Sequence, residues 1–246
     1  MTTRDLTIEG KAVLVTGANR GIGRALVDDA LTRGAARVYA GTRQPLAHHD
    51  ERVIPLTLDV TDTTAIDAAV DRVEVLDILI NNAGVSLLDE LDDRDLLERH
   101  LAVNLFGMHS VTQAFVPALT QSHGAVVNIL SLAGLAPVPM MPSYSISKAA
   151  AFSLSQSLRT LLGGRGVSVH AVMAGPVDTD MTRDLDIPKA SPESVAKAIL
   201  DGVENGEEEI FPDVVSAAIA ESWRSGAAKA LEGQFAALAQ AVPVDA

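Results

Sequence analysis

The sequence predicts an α/β fold in which a mostly parallel sheet of seven strands carries helices on both faces. Short apolar runs alternate with amphipathic segments from end to end, and strands that alternate with helices pair in parallel through right-handed crossovers. No linker rich in proline or serine divides the 246 residues, and the sequence has no internal repeat. We therefore expect one domain over residues 1–246, with residues 213–246 forming a helical C-terminal tail packed on it.

Each predicted strand is a short run of apolar and β-branched residues, as expected for strands buried on both faces. The first run, KAVLVT, ends at a glycine, and the third contains Pro55, which disturbs strand pairing near its start. The seven predicted strands are Lys11–Thr16, Ala36–Gly41, Arg52–Val60, Leu76–Ile80, Gly124–Ser131, Gly166–Gly175 and Glu208–Asp213.

Helices are predicted where apolar residues recur every three or four positions. Capping residues mark their ends, with Asp62 before one helix, Ser191 followed by proline at another, and Gly34 after the first. The predicted helices are Ile22–Arg33, Thr63–Val73, a tract over Leu91–Thr120 with two helices that meet near Asn104, Ser143–Leu162, Ser191–Gly206, and Ala217–Ala241 with interruptions at Gly226 and Gly233.

The composition excludes several classes of function. A net charge of −13 argues against a nucleic-acid partner, which requires clustered lysine and arginine. The chain has no cysteine, so disulfides and thiolate sites are excluded, and its 6 histidines show no paired ligand spacing, so we expect no metal. No apolar run reaches the roughly 18 residues of a membrane span, and the polar start MTTRDLTIEG does not resemble a signal peptide. We expect a cytoplasmic protein without a membrane partner.

A glycine-rich turn joins the first predicted strand to the first predicted helix. In TGANRGIG, residues 16–23, the glycines stand where backbone approaches a ligand closely and helix amides face an anion. The spacing Gly-x-x-x-Gly-x-Gly differs from the Gly-x-Gly-x-x-Gly fingerprint, and a turn that serves packing alone is the alternative. Because the turn opens a βαβ unit, it predicts a dinucleotide site.

Tyr144 precedes Lys148 by four residues in SYSISKAA, residues 143–150, so the two side chains share one face of a helix. An ammonium near a phenol stabilises the phenolate, so we expect the Tyr144 pKa to fall below its usual value of about 10. Such a phenol exchanges protons near neutral pH. An accidental surface pair is the alternative.

The glycine turn and the Tyr144–Lys148 pair resemble those of the short-chain dehydrogenase/reductase family, which implies a single doubly wound Rossmann domain. The resemblance extends to about residue 212 and includes further motifs in the family's order. These are Asp59-Val60, NNAG at residues 81–84, Asn104, Ser131, and AGPVDTDM at residues 174–181, where Ala174 replaces the family's usual proline.

The resemblance implies a catalytic set of four residues. Ser131 hydrogen-bonds the substrate oxygen, Tyr144 acts as general acid or base, and Lys148 lowers the Tyr144 pKa and binds the nicotinamide ribose. Asn104 holds a water that relays protons toward Lys148. The implied cofactor-binding residues are Gly17, Asn19, Arg20, Gly21, Ile22, Arg43, Asp59, Val60, Asn82, Ala83, Gly84, Tyr144, Lys148, Val177 and Thr179.

Two arginines predict the form of the cofactor. The second strand ends in VYAGTR, without the carboxylate that selects NAD in dinucleotide folds. Arg43 stands just beyond that strand and Arg20 lies inside the glycine turn, so we expect both to bind the 2′-phosphate of NADP(H). Two solvated surface arginines are the alternative.

These features predict an NADP-dependent carbonyl reductase or alcohol dehydrogenase that acts on a hydrophobic ketone, aldehyde or secondary alcohol. Apolar residues are expected near the nicotinamide, namely Leu87, Leu88, Pro137, Val138, Met140 and Met141. A non-catalytic NADP-binding sensor or regulatory scaffold is the alternative, and an intact set of Ser131, Tyr144 and Lys148 argues against it.

A homodimer is the expected assembly. The helices over residues 104–120 and 143–162 carry more small and apolar residues than one sheet face needs. In the family these two helices form a dimer through a four-helix bundle, and the VDGG-like segment that often joins tetramers is missing here.

Overall fold

The structure, a computed structural model, describes residues 6–44 and 46–241 and contains one sheet. Its seven strands are β1 (Ala12–Thr16), β2 (Arg37–Thr42), β3 (Val53–Thr57), β4 (Ile78–Asn81), β5 (Ala125–Ile129), β6 (Ser168–Val172) and β7 (Glu209–Ile210). They lie in the order β3-β2-β1-β4-β5-β6-β7, and every pairing is parallel. The predicted fold class is confirmed, with a sheet that is wholly parallel in the described residues.

Eight α-helices are described in these residues. They are α1 (Gly21–Thr32), α2 (Thr63–Arg72), α3 (Arg94–Leu101), α4 (Met108–Ser122), α5 (Pro142–Gly163), α6 (Pro192–Glu204), α7 (Val214–Arg224) and α8 (Ala227–Ala241).

The sheet separates two hydrophobic layers, which explains why its strands are mainly apolar. Val13 and Val15 of β1 pack on one side with side chains of α1 and α6, whereas Leu14 packs on the other with side chains of α4 and α5. All three residues are fully buried. Because both faces of the sheet are covered, the side chains on either face are buried, and each one stabilises the fold by roughly 1.5–3 kcal/mol.

The strand order reverses at β1, which lies between β2 and β4. In open α/β sheets ligands bind at the carboxyl ends of the strands beside such a switch point. Val15 of β1 pairs with Ile80 of β4, so Gly17 and residues 82–84 follow their strands at the same edge. The sheet therefore brings two of the predicted motifs together.

Helix ends follow the predicted capping residues. The Asp62 carboxylate accepts a hydrogen bond from Thr64 N (2.9 Å), and Ser191 Oγ accepts one from Ser194 N (3.1 Å). Gly34 follows α1 with a φ of +84°, a conformation that glycine adopts without strain.

The long tract before β5 contains two helices that meet near Asn104, as predicted. A π-helical segment, Ala102–Gly107, joins α3 to α4. Such segments place an extra residue in one turn and often occur at functional sites. Here the segment turns Asn104 into the interior, where it is buried.

The C-terminal tail breaks at Gly226, as predicted, but the predicted interruption at Gly233 is wrong, because α8 runs through it. A glycine inside an exposed helix costs only about 0.5–1 kcal/mol relative to alanine, which the flanking helix-forming residues tolerate. Residues 242–246, the end of the predicted tail, lie outside the described residues.

An ion-pair network attaches α8 to α5 and β7. Arg159 of α5 contacts Glu209 (2.8 Å) and Glu232, and Lys229 of α8 contacts Glu208 (2.7 Å), Glu209 (2.9 Å) and Glu232 (3.1 Å). The three carboxylates lie close enough together to hold a metal ion, but Arg159 and Lys229 already pair with them. Their clearest role is to hold the tail against the sheet.

None of the helices in the described parts of the chain is long and apolar enough to cross a membrane.

Candidate active site

In the glycine turn after β1, the glycine positions leave no room for side chains. Gly17 and Gly21 have φ values of +66° and +52°. A Cβ on Gly23 would lie 2.2 Å from Gly17 O, and one on Gly17 would lie 3.0 Å from Ala83 Cα. Within the described residues no side chain caps the first amides of α1. The turn therefore presents bare backbone N–H groups at a helix N-terminus, which fits a phosphate-containing cofactor.

Thr16 and Asn82 fix this turn against the strand next to it. Asn82 Nδ2 donates to Thr16 O (2.9 Å) and Gly17 O (3.1 Å), and Thr16 Oγ1 accepts from the backbone amides of Asn82 and Ala83 (both 3.0 Å). Thr16 was not among the predicted site residues, although it is the first letter of the glycine motif. Its role depends on a partner 66 residues away in the chain.

Ser131 and Tyr144 meet above the carboxyl end of β5. Ser131 precedes a 3₁₀ turn, Leu132–Gly134, and its Oγ accepts from Ala133 N (3.1 Å). Tyr144 lies in the first turn of α5 and is half-buried. Burial raises the pKa of the Tyr144 phenol, and a hydrogen bond with Ser131 lowers it by less. The predicted fall of the Tyr144 pKa is therefore wrong, because removal of the phenol from water dominates.

Lys148 lies one helical turn further and points back toward the same edge. Its Nζ donates to Ile129 O (2.8 Å) and lies 5.7 Å from the centre of the Tyr144 ring. Burial lowers the pKa of Lys148 to about 8. Loss of water therefore dominates the pKa shifts of both groups.

Asn104 holds the chain segment that follows β4. Its Nδ2 donates to Val85 O (2.9 Å) and Ser147 Oγ (2.9 Å), and its Oδ1 accepts from Val85 N (2.9 Å). A Cβ on Gly84 would lie 3.3 Å from Asn104 Oδ1 and 3.9 Å from Lys148 Nζ, so the three residues converge. Both amide hydrogens of Asn104 are used in these bonds. The proposed water relay would therefore need its main chain or a second lone pair of Oδ1.

Further predicted cofactor residues follow β1, β2 and β3 at the carboxyl edge of the sheet. Asp59 and Val60 follow β3, and hydrogen bonds from Thr61, with a smaller effect of the Arg43 guanidinium, hold the Asp59 pKa below its usual range. Asn19 and Arg43 are exposed.

On the other side of the glycine turn, a loop after β6 comes close. A Cβ on Gly21 would lie 3.0 Å from Thr179 Cγ2, and Val177 pairs with Ala190 at the base of this loop. Ile22 packs on the core beneath α1.

Arg20 already has a partner in this loop. Its Nη1 lies 2.9 Å from Asp180 Oδ2, and its side chain remains 66% exposed. Asp180 also contacts Arg183. An exposed pair of this kind is weak, so a phosphate with two negative charges can displace the carboxylate.

Two polar side chains that the sequence analysis did not assign to the site hold the loop after β4. The stretch from Asp89 to Arg99 has the charged composition of a solvated helix face, but Asp89 is buried before α3 begins. Its carboxylate accepts from Ser143 N (3.3 Å) and Ser143 Oγ at the start of α5. Asp89 is buried because its carboxylate satisfies a helix N-terminus.

His100 is the second of these side chains and is fully buried. Its Nε2 accepts from Leu87 N (3.0 Å), so Nδ1 carries the proton that is donated to Leu96 O (2.7 Å). The ring meets the Tyr144 ring edge-on, with centres 6.3 Å apart. His100 therefore connects the loop after β4 to the phenol.

Large apolar side chains are exposed in the loops and the helix start that follow β4, β5, β6 and β7. Parallel strands place all of these segments at the same edge of the sheet. The residues are Leu88, Leu91, Met140, Met181, Ile187, Val214 and Val215. Leu88 and Met140 are among the apolar residues predicted near the nicotinamide, and the others, Leu87, Pro137, Val138 and Met141, lie in the same two loops with partial or full exposure.

Comparisons with known proteins agree with this arrangement. The family described as short chain dehydrogenase matches residues 11–189. The 3-oxoacyl-[acyl-carrier-protein] reductase FabG of Escherichia coli strain K12 is 32% identical over an alignment of 196 residues that covers 73% of this chain and 79% of that protein. Estradiol 17-beta-dehydrogenase 2 of Mus musculus is 35% identical over an alignment of 199 residues that covers 74% of this chain and 52% of that protein.

A solved structure extends the similarity to most of the chain. The short chain dehydrogenase from Burkholderia cenocepacia J2315, crystallised in complex with NADP, is 34% identical with a TM-score of 0.85. The match covers 93% of this chain and 98% of that one. Together with the family match, this similarity shows that the chain belongs to the short-chain dehydrogenase/reductase family of oxidoreductases, which use NAD(P)H.

Proposed function

We propose that the protein is an NADP(H)-dependent carbonyl reductase or alcohol dehydrogenase that acts on a hydrophobic ketone or aldehyde, or on the corresponding secondary alcohol. One observation carries the proposal. Ser131, Tyr144 and Lys148 converge at the sheet edge that also carries the bare glycine turn. A proton donor, a hydroxyl and a cation beside a dinucleotide turn suit hydride transfer to a carbonyl.

The cofactor would lie across the switch point of the sheet. The backbone of Gly17 and Gly21 would hold its phosphates, Asp59 and Val60 its adenine, and Lys148 its nicotinamide ribose. When bound, NADP(H) supplies or accepts the hydride. We propose that the full set of cofactor residues inferred from the sequence acts in this way.

Tyr144 would donate the proton to the substrate oxygen, while the Ser131 hydroxyl donates a hydrogen bond to the same atom. A raised Tyr144 pKa keeps the phenol protonated at neutral pH, which suits reduction of the carbonyl. Asn104 would keep the neighbouring loop in register through Val85. A water relay from Asn104 stays a prediction.

The substrate class follows from the rim of exposed apolar side chains. A substrate site bordered mainly by leucine, methionine and valine favours a substrate whose reacting carbonyl is attached to an apolar skeleton. The names of the two relatives describe a 3-oxoacyl group and estradiol, and both join a carbonyl or alcohol to an apolar skeleton.

NADP(H) is favoured over NAD(H) by the charges around β2. The strand ends without a carboxylate, Arg43 follows it, and Arg20 lies within the glycine turn. Because Asp180 already neutralises part of the Arg20 charge, Arg43 would contribute more to the preference. The bound NADP of the Burkholderia relative supports this choice.

Assembly, domain organisation and location remain predictions. We propose one catalytic domain over the whole chain and a homodimer that forms through α4 and α5. Two large apolar side chains are exposed on this surface, namely Ile146 of α5 and Phe106 just before α4. A cytoplasmic location stays a prediction from the sequence.

The alternative is an NADP-binding sensor without turnover. A sensor has no use for a phenol that hydrogen-bonds a serine beside a buried lysine. Binding of NADPH without its oxidation, across ketones of graded size and polarity, would favour the sensor.

Replacement of Tyr144 tests the proposed reaction. Tyr144→Phe keeps the ring but removes the proton, so turnover should fall by about 10²–10⁴-fold while the NADPH Kd stays near that of the wild type. The other tyrosine, Tyr39, is fully buried in the core and supplies a matched control. Tyr39→Phe should keep turnover, and a Tyr144→Phe protein with wild-type turnover would refute the proposal.

A further inference from the structure

We propose that Asp213 is a positioning residue of the cofactor site, through which helix α7 of the C-terminal tail holds the chain segment over residues 174–177. This inference rests on the proposed function, because Val177 of that segment is one of the proposed cofactor residues. Asp213 lies 38 residues away from Gly175 in the sequence, at the junction between β7 and α7.

The Asp213 carboxylate is buried and shared by four donors. Oδ2 accepts from Gly175 N (2.7 Å) and Ser216 Oγ (2.8 Å). Oδ1 accepts from Val215 N and Ser216 N, both at 3.0 Å. Asp213 is 8% exposed and Ser216 is fully buried, so water does not readily replace these bonds. One oxygen therefore caps α7, and the other holds Gly175.

The held segment leads directly to the proposed catalytic serine. Ala174 O accepts from Leu132 N (3.0 Å), and Leu132 follows Ser131. The contact with Asp213 is tight, since a Cβ on Gly175 would lie 2.5 Å from Asp213 Oδ1. Any shift of the start of α7 would therefore move the backbone beside Ser131.

The same segment also closes the loop after β6. Ala190 N donates to Pro176 O (3.0 Å), and Asp178 N donates to Ala190 O (2.8 Å). The loop between them, residues 179–189, includes Thr179 next to the glycine turn. Asp213 thus anchors the base of a loop that borders the proposed cofactor site on one side.

An aspartate is required for both tasks because four donors face two oxygens. In Asp213→Asn, the remaining oxygen still caps α7, since asparagine is as good an N-cap as aspartate. The new Nδ2 would then face Gly175 N, a donor opposite a donor. This substitution breaks the bond to Gly175 and keeps the cap.

The test compares the NADPH Kd of variants by fluorescence titration. Asp213→Asn should raise the Kd about tenfold, equivalent to about 1.4 kcal/mol. Ser216→Ala removes a partner of the carboxylate but leaves Gly175 bonded, and should change the Kd less than about twofold. Asp62→Asn alters the N-cap of α2, and should likewise leave the Kd unchanged. Gly175→Ala should match Asp213→Asn, and it decides the question if the asparagine variant does not fold.

Hydrogen exchange of the Gly175 amide gives a second measurement that needs no cofactor. Exchange should accelerate in Asp213→Asn and not in Asp62→Asn. A wild-type Kd in Asp213→Asn, or equal losses in all variants, would overturn the inference. If the wild-type chain bound no NADPH, the proposed function would fail, and Gly175 exchange would still decide whether Asp213 holds the segment.

Discussion

Replacement of Lys148 by methionine should inactivate the enzyme and stabilise its fold. Lys148 is 6% exposed, and burial lowers its pKa to about 8 from 10.5. A lowered lysine pKa means that the charged ammonium is less favourable in the folded state than in the unfolded chain, where water solvates it. Methionine fills a similar volume without any charge.

The pKa shift sets the magnitude. A gap of about 2.5 pH units at about 1.4 kcal/mol per unit gives a penalty of about 3 kcal/mol at neutral pH. Lys148→Met also loses the hydrogen bond to Ile129 O, which offsets about 1 kcal/mol of the stabilisation gained. Lys148→Met should therefore raise the free energy of unfolding at about pH 7 by about 2 kcal/mol.

The same shift predicts a pH dependence with a definite sign. Below about pH 8 both states hold the Lys148 proton and the whole penalty is present. Between about pH 8 and 10.5 the unfolded chain keeps the proton that the folded chain has lost, so wild-type stability rises with pH. Tyr144, whose pKa is raised, contributes in the opposite direction only above about pH 10, where the unfolded phenol ionises.

Urea unfolding at about pH 7 and about pH 9.5 measures both quantities. Lys148→Met should be more stable than the wild type at the lower pH and should lack its rise toward the higher one. Lys197, with a side chain 68% exposed, supplies the control, because Lys197→Met should change stability by no more than about 0.5 kcal/mol. A Lys148→Met protein that is less stable than the wild type at pH 7, or that keeps the rise, would refute the reasoning.

Two further predictions concern the cofactor. Gly23→Ala places a Cβ 2.2 Å from Gly17 O and should raise the NADPH Kd at least tenfold. Gly163→Ala is the control, because a Cβ there meets nothing within 4 Å and the Kd should not rise. Equal Kd values of the two variants in a titration would contradict this prediction. The wild type should prefer NADPH to NADH at least tenfold in kcat/KM. Arg43→Asp should lower this NADPH-to-NADH ratio. Asp180→Asn releases Arg20 from its ion pair and should raise the ratio severalfold. Equal use of the two cofactors by the wild type would refute the assignment.

Much of the fold and part of the site could be predicted because they depend on local patterns. The spacing of Tyr144 and Lys148 places both on one helix face, and the glycine turn needs no distant partner to adopt positive φ values. The strands were equally predictable from local sequence, since most of them are short runs that are mainly apolar. The predicted interruption at Gly233 failed because a single glycine is too small a cost to end an otherwise favourable helix.

The remaining features depend on contacts between distant parts of the chain. The direction of the Tyr144 pKa shift is set by burial, which the four-residue spacing to Lys148 does not report. Arg20 and Asp180 pair across 160 positions, and Asp89 reaches Ser143 across 54. A carboxylate in an acidic stretch has no local mark that distinguishes a buried cap from a solvated charge.

The supporting side chains of the site that could not be predicted from the sequence share one physical property. Thr16, Asp89 and Asp213 each bond to backbone amides of a remote segment, and every residue type except proline offers such an amide. The partner segment therefore leaves no trace in its own sequence, unlike a substrate-facing tyrosine. Because these side chains hold main chain and do not touch the reacting atoms, their loss should weaken binding more than it slows proton transfer. Replacement of Tyr144 removes the transferred proton itself, so KM and kcat can separate the two groups of residues.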